Sequence, residues 1–344
     1  MKKLFTFTVL APWVIFVHIW SIHFLQAQSI FDALSFQEGL KADLKMNMDS
    51  MLMNKNTANE VPATLTYKDA AGKKKVWNLK LEVRGKFRRR VCPFPPLKLN
   101  FSKKELKNNN LTDFDELKLV THCINDPQGD EHILREYLVY KLYQILTPAS
   151  YRVQLLRVRY QNTSNNEAFT YYAILLEDEK EMAKRVNGKL CEDCFGLSRA
   201  QFQQENIHIH DLFQFMIGNM DWNTAMLRNM KALRAIDDNY YLLVPYDFDF
   251  SGLVNASYAI PDPTFGMKSK RDRKFIGFAQ SQEELAETIQ HFQSKKEAIL
   301  DYVKNFKLLS NASRQDISQY LTFFYAQLEQ GINIQETLVY SPDK

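Results

Sequence analysis

Residues 130–147 read DEHILREYLVYKLYQILT, and the chain changes character there. Leu134, Leu138, Lys141, Leu142 and Ile145 recur at helical spacing, behind an acidic start and ahead of a Thr-Pro stop, so the pattern predicts a helix. What precedes it alternates with period two. VPATLTYKD and KKVWNLKLEVRGK flank the turn DAAGK and carry β-branched and aromatic residues, which predicts a hairpin. PLKLNF and DELKLVTHC read as two more strands across the polar loop KKELKNNNLTDF, and ALSFQEGLKADLKMNMDSMLMNK as a short extended or loosely helical entry. The first part of the chain is therefore mostly β.

On the other side of the helix, YRVQLLRVRYQN and EAFTYYAILLED form a second hairpin around TSNN and run into EKEMAKRV, a short helix. Beyond residue 200 the pattern is mainly helical. ENIHIHDLFQFMIGNM enters a helix near Asp211, while SQEELAETIQHFQSKKEAILDYVKNF and SRQDISQYLTFFYAQLEQGI are long amphipathic helices with Ser N-caps. A small hairpin, NMKALRAI and NYYLLVPYDF, interrupts them, and no internal repeat is visible. The expectation is an α+β protein in two lobes: a β-rich N-lobe with one helix over 28–177 and a mainly helical C-lobe over 178–344.

With 45% hydrophobic and 24% charged residues, the chain can bury a sizeable core and is not a disordered sequence. Its net charge of +4 includes Lys2 and Lys3, too weak a bias to argue for nucleic acid. Those two lysines precede the apolar run LFTFTVLAPWVIFVHIWSIHFL, and LQA at 25–27 offers a cleavage site, so residues 1–27 read as a secretory signal. Left uncut, a run of that length would anchor the protein in a membrane. Either way the remainder is expected to be exported, to a periplasm or cell surface, with no stable insertion once the signal is removed.

Cys92, Cys123, Cys191 and Cys194 are an even count, which permits disulfides in an oxidising compartment. CEDC at 191–194 followed by HIH at 208–210 hints at zinc, but histidines two residues apart do not match the usual finger spacing. A Cys191–Cys194 bond, or pairing with Cys92 and Cys123, is the preferred reading.

LLVPYDFDFSGLVN, residues 242–255, sets Asp247 and Asp249 between large apolar side chains, where a carboxylate needs a partner. Upstream, GNMDWNTAMLRNMKAL places Asp221 at the end of an apolar helix and Asn229 at the start of the hairpin whose other strand ends at Asp247. A hairpin brings its ends together, so Asn229 and Asp247 can converge on one cation beside Asp221. Phosphoryl transfer asks for that set: oxygen ligands for Mg²⁺ and a separate carboxylate for the acceptor hydroxyl. Each residue singly is more often a cap or turn closer; the functional reading rests on their order. Paired carboxylates also serve glycosidases, although the metal-friendly hairpin argues against that use.

RGKFRRRVCPFPPLKLNF, LREYLVYKLYQIL, GNMDWN with its later Asn, and PYDFDFSG occur in an order that resembles the CotH-like kinase family, over roughly residues 60 to 280. The resemblance implies a two-lobed atypical protein-kinase-like fold and transfer of phosphate from ATP, with Mg²⁺ or Mn²⁺, to a hydroxyl on a protein or glycan. It makes Asp221 the catalytic carboxylate, Asn229 and Asp247 metal ligands, and Asp249 a supporting ligand. Lys98 would contact the nucleotide phosphates, with Lys80 as rival, and Arg84 and Gly85 would belong to a loop over the cleft. Glu136 or Glu131 would pair with the strand lysine. Asn223 stands where that family's segment has a second acid, no ordinary kinase Gly-rich loop is present, and ATP is scarce outside the cytoplasm. A catalytically inactive binding scaffold is therefore the main alternative, and a glycan hydrolase the second. KSKRDRKF, at 268–275, reads either as a solvated surface or as a receiver for phosphate or an acidic acceptor.

Overall fold

The computed structural model describes residues 28–57, 59–279 and 281–332, so the signal expected at 1–27 lies outside the described residues. Ile30–Leu34 (α1) leads into Leu40–Met46 (β1) and Met48–Met53 (α2). The predicted hairpin is Val61–Lys68 (β2) with Lys74–Val83 (β3). Arg88–Val91 (α3), Leu97–Phe101 (β4), Lys103–Asn108 (α4) and Glu116–Val120 (β5) follow. The loop expected between β4 and β5 thus holds a helix, capped by the Ser102 hydroxyl. The helix that marks the change of character is Pro127–Leu146 (α5), with Asp126 capping its first turn. The second hairpin is Val153–Asn162 (β6) with Ala168–Leu176 (β7).

Glu179–Arg185 (α6), Gly188–Cys191 (β8) and Gln204–Ile217 (α7) come next, α7 starting about two turns before the expected Asp211. Met230–Ala235 (β9) and Tyr241–Pro245 (β10) form the small hairpin, and β8 adds to it as a third strand. Ala286–Asn305 (α8) opens from a 3-10 turn rather than a Ser cap, while Asn311–Gln330 (α9) is capped by Ser310.

The first seven strands run in the order β1-β2-β3-β4-β5-β7-β6 and close into a barrel. Closure comes from β1 and β6, which pair in parallel with Leu40 opposite Leu156 and Met46 opposite Asn162; every other neighbouring pair in the barrel is antiparallel. This corrects the two-lobed, kinase-type expectation: the β half is a closed seven-stranded mixed barrel with helices packed around it. The physical reason lies in the entry segment. Leu40, Ala42, Leu44 and Met46 alternate inward and are buried, so LKADLKM behaves as a strand and seals the edges of β2 and β6.

Inward residues of every barrel strand, among them Leu79, Leu81, Leu97, Leu99, Leu117, Leu119, Val158 and Leu175, make one core. The outward faces of β6 and β7 are also buried at the start of β6 and the end of β7. Leu155, Ile174 and Leu176 join a second core with α5, α7, α8 and α9, so the barrel and the helices share packing through α5. Disulfides join Cys92 to Cys123 and Cys191 to Cys194. The first ties the end of α3 to the stretch between β5 and α5 and so fixes the short helix against the barrel.

Candidate functional site

The aspartates of PYDFDF owe their positions to one backbone turn. Asp247 follows β10 with φ of 65°, a left-handed conformation uncommon outside Gly, Asn and Asp. Phe248 then drops into the core against Tyr140 and Phe213, with ring centroids 4.8 and 5.8 Å apart. Asp247 and Asp249 are left facing α5 and α3. The Asp247 N–H donates to the Tyr140 hydroxyl at 2.8 Å, which locks the turn.

Their partner in the structure is a guanidinium. Arg88, from the single-turn α3, donates to Asp247, lies 3.0 Å by Nε from Asp249 Oδ2, and approaches Glu136 of α5 at 3.4 Å. Arg88, Glu136 and Asp249 are each at least nine-tenths buried, so these are desolvated charges. Burial alone would raise the Asp247 carboxyl, but Arg88 and then Arg84 outweigh it and hold it below the ordinary range. Asp249 goes the other way. Burial drives it well above its ordinary value, opposed by Arg88 and reinforced by Asp247 and Glu136. Glu136 is pushed up by burial, moderated by Arg88, to about 7. One guanidinium facing three carboxylates leaves the cluster short of positive charge.

The Asn229 side chain bonds to Asp221 rather than to Asp247. The Asn229 amide donates to the Asp221 main-chain carbonyl at 2.6 Å and to its Oδ2 at 2.9 Å. Asn229 sits at φ 56°, and its own carbonyl accepts the Tyr246 N–H at 2.9 Å, so the Asp221 loop is stitched to the residue before Asp247. Burial raises the Asp221 carboxyl, Arg228 at 3.2 Å opposes, and Asp247 is near enough to add to the rise. Asn223 closes the intervening turn, its Oδ1 accepting the Met226 N–H at 2.8 Å. Among the described residues, no three His, Cys, Asp or Glu side chains group as a metal cage.

Lys98 is not part of this assembly. It lies 2.8 Å from Glu82 and 3.8 Å from Glu116 on the barrel wall, and its rival Lys80 pairs with Glu60 at 2.9 Å. The lysine that reaches the site is Lys118, which is in register opposite Lys98 on the next strand. It is bound to Glu179 and lies 4.7 Å from the Tyr246 ring centroid. Burial pulls its pKa well down, with Arg84 and Lys231 in the same sense and Asp247 against them. Arg84 is thus within electrostatic reach of both Asp247 and Lys118. Gly85, at φ 84°, reverses the chain between Arg84 and α3, a conformation glycine adopts at low cost.

Of the two glutamates considered on α5, Glu136 faces the cluster. Glu131 instead accepts from Arg135 at 2.9 Å and from Ser313 at 2.7 Å. Three cations of KSKRDRKF are engaged within the fold. Arg271 pairs with Asp316, Arg273 lies 3.6 Å over Tyr320, and Lys270 donates to the carbonyls of Asn255 and Ala256. Lys118 and Arg88 escaped the sequence reading. The alternation of ELKLV and its position just before the Glu136 helix were signals for Lys118; RRRV carried none that singles out Arg88.

Two pockets open beside the Asp221–Asn229 loop. One, of about 280 Å³, is lined by Glu179, Leu190, Leu227, Met230, Lys231 and Tyr246, next to Lys118. The other, of about 300 Å³, is bordered by Asp221, Met220, Phe250, Ile260, Pro263 and Lys270. The first sets Leu190, Leu227 and Met230 beside Lys231 and two acids, Glu179 and Glu192, and the second is a cleft edged by the Asp221 carboxylate.

No protein-family model matches the chain, and no curated protein matches it. Among solved structures, the crystal structure of a Helicobacter pylori proinflammatory kinase, CtkA, is similar over 70% of this chain and 92% of that chain, at 12% identity and a TM-score of 0.37. A likeness that loose says nothing of the chemistry of this chain.

Proposed function

We propose that the protein is a phosphotransferase that moves phosphate from ATP to a hydroxyl acceptor with a divalent metal. The observation that carries this reading is Asp221, clamped by Asn229 and bordering one pocket, while a second pocket beside the same loop is lined by Lys231 and by Glu179 and Tyr246, the contacts of Lys118. Asp221 would orient the acceptor hydroxyl and take its proton, for which geometry matters more than resting pKa. Lys118 would offset charge on the phosphates, its ammonium now shared with Glu179, and Arg84 would add to the field. Leu190, Leu227, Met230 and Tyr246 give the donor's base an apolar seat.

The donor set fits Mg²⁺ or Mn²⁺. Asn229 directs its amide nitrogen to Asp221, which leaves its carbonyl oxygen on the opposite side of the amide, and Asp247 supplies a hard carboxylate that Arg88 holds below the ordinary range. Mg²⁺ is commonly held by one or two carboxylates plus substrate phosphates, so the lack of a three-residue cage does not count against it. Such an ion, held by Asn229 and Asp247 with Asp249 behind, would neutralise charge on the transferring phosphoryl group.

A second reading has its own observation. Arg88 already engages Asp247, Asp249 and Glu136, so the cluster could be structural and the protein an inactive binding scaffold. The two disulfides support residence in an oxidising compartment, and among the described residues no helix is long and apolar enough to cross a membrane. Thermal unfolding with Mn²⁺, with ATP and with both, followed by radiolabelled transfer to the protein itself and to casein, separates the readings. A joint shift with transfer supports the phosphotransferase; a joint shift without transfer supports the scaffold; no shift sinks the metal–nucleotide proposal.

A further inference from the structure

Behind Asp221 a chain of buried polar groups runs back along α7. The Asp221 N–H donates to Asn219 Oδ1 at 3.0 Å, and the Asn219 amide donates to Gln214 Oε1 at 2.9 Å. The Gln214 amide reaches His210 Nε2 at 3.3 Å, and His210 Nδ1 lies 2.9 Å from Asp211 Oδ1. Asp211 closes the chain by accepting the Phe278 N–H at 2.8 Å. Asn219, Gln214, His210 and Asp211 are all buried to within 1% of full enclosure.

The direction of every bond follows from the two ends. Asp221 N–H can only donate, so Asn219 turns its oxygen toward it and its NH₂ toward Gln214. Gln214 must then accept with its oxygen and donate with its nitrogen. That makes His210 Nε2 the lone-pair atom and puts the ring proton on Nδ1, facing a carboxylate that can only accept. All four links are polarised the same way, an arrangement in which hydrogen bonds strengthen one another. Trp222 holds the assembly from the side, its ring 4.8 Å from His210 and its Nε1 donating to the Asn219 carbonyl at 3.1 Å. Gly277 packs so closely that a Cβ there would lie 2.5 Å from the Asp211 carboxylate.

We infer that Asp211, His210, Gln214 and Asn219 form a positioning relay that fixes the main chain of Asp221 and thereby the aim of its carboxylate; the role rests on the phosphotransferase reading above. Helix α7 ends at Ile217, so Asp221 lies beyond its last turn, and its other restraints among the described residues are Asn229, Arg228 and the Trp222 anchor. None of the four relay residues borders either pocket, so they act through Asp221 and not on a substrate.

Gln214→Met keeps the volume and removes both central links; Asn219→Ala removes the link to Asp221 itself. Two measurements on each variant test the relay. Hydrogen exchange at the Asp221 amide is expected to quicken at least tenfold while exchange in α8 and α9 stays as in wild type. Phosphotransfer with Mn²⁺ and ATP is expected to lose about 10- to 100-fold in kcat with KM for ATP unchanged, as a misaimed group does. Unchanged Asp221 exchange in a folded Gln214→Met protein overturns the relay, and so does a rise in KM with kcat preserved. A wild type that transfers no phosphate overturns the phosphotransferase reading instead, and with it the catalytic role of the relay, whereas the exchange result alone still decides whether the chain restrains Asp221.

Discussion

Arg88 Nε lies 3.0 Å from Asp249 Oδ2 in a setting where both side chains are almost wholly shielded from water. The pair explains how PYDFDF tolerates two aspartates, and its removal should be costly. Arg88→Leu would leave Asp247, Asp249 and Glu136 without their shared cation, a loss of about 3–5 kcal/mol expected for breaking a buried ion pair. Urea denaturation should show it as a lower midpoint at unchanged slope. Arg88→Lys should recover only part, since one ammonium cannot reproduce the planar fork.

The Asp221–Asn229 clamp predicts loss of turnover without loss of fold. Asp221→Asn is expected to cut phosphotransfer by about 10²- to 10⁴-fold, the usual contribution of a positioned acid–base group, while the melting temperature stays within a few degrees. Steady-state kinetics and thermal scans on the same preparation check it.

Lys98 and Lys118 offer an internal control, one strand apart and in register. Lys118→Met should weaken ATP binding, measured by calorimetry, by tenfold or more. Lys98→Met removes a partly exposed pair with Glu82, of a kind typically worth about 0–1 kcal/mol, and should leave ATP binding alone.

Glu136 titrates near 7 because burial outweighs Arg88. A carboxyl raised in the folded state binds its proton more tightly there than in the unfolded chain. Its contribution to stability is full below the ordinary value of 4.5 and is lost as pH rises through about 7. Melting temperatures measured across that window should therefore decline more steeply for wild type than for Glu136→Gln. Adding Mn²⁺ should flatten the wild-type decline if the ion binds the ionised cluster.

The Cys92–Cys123 bond spans 31 residues, a loop whose closure is worth about 3–4 kcal/mol on chain-entropy grounds. A Cys92→Ser, Cys123→Ser double variant should lose stability of that order in guanidinium titrations. It should also show faster exchange at the Arg88 amide, because the bond anchors α3.

Much of the fold was legible locally, because periodicity acts over neighbouring residues. Val61–Lys68, Lys74–Val83 and Pro127–Leu146 announce themselves by their alternation or helical spacing. Closure was not legible: Leu40–Met46 pairs with residues more than a hundred positions later, in parallel, with no turn to fix the register. That gap also hides the surroundings of the two lysines, since ELKLV and PLKLNF alternate alike and only the wrapped sheet sets Lys118 against Glu179 and Tyr246 and Lys98 against Glu82. Asp221 and Asn229 are brought together by the tight turn between them, in which Asn223 and Arg228 exchange main-chain hydrogen bonds, and not by the hairpin, which starts only after Asn229. Arg88 was not legible, because nothing in RRRV says which arginine turns inward.

Because the N-terminal strand is also the last stave, the barrel cannot be completed in the order in which it is synthesised. Residues 40–46 must wait, one edge bare, until residues 156–162 have emerged, and a ribosome adding about 5–20 residues per second needs several seconds or more to cover that distance. During that interval β1 and the far edge of the growing sheet are open to pairing with a neighbouring chain. Production yield should therefore depend on chaperone supply and translation speed more than the stability of the finished molecule would suggest.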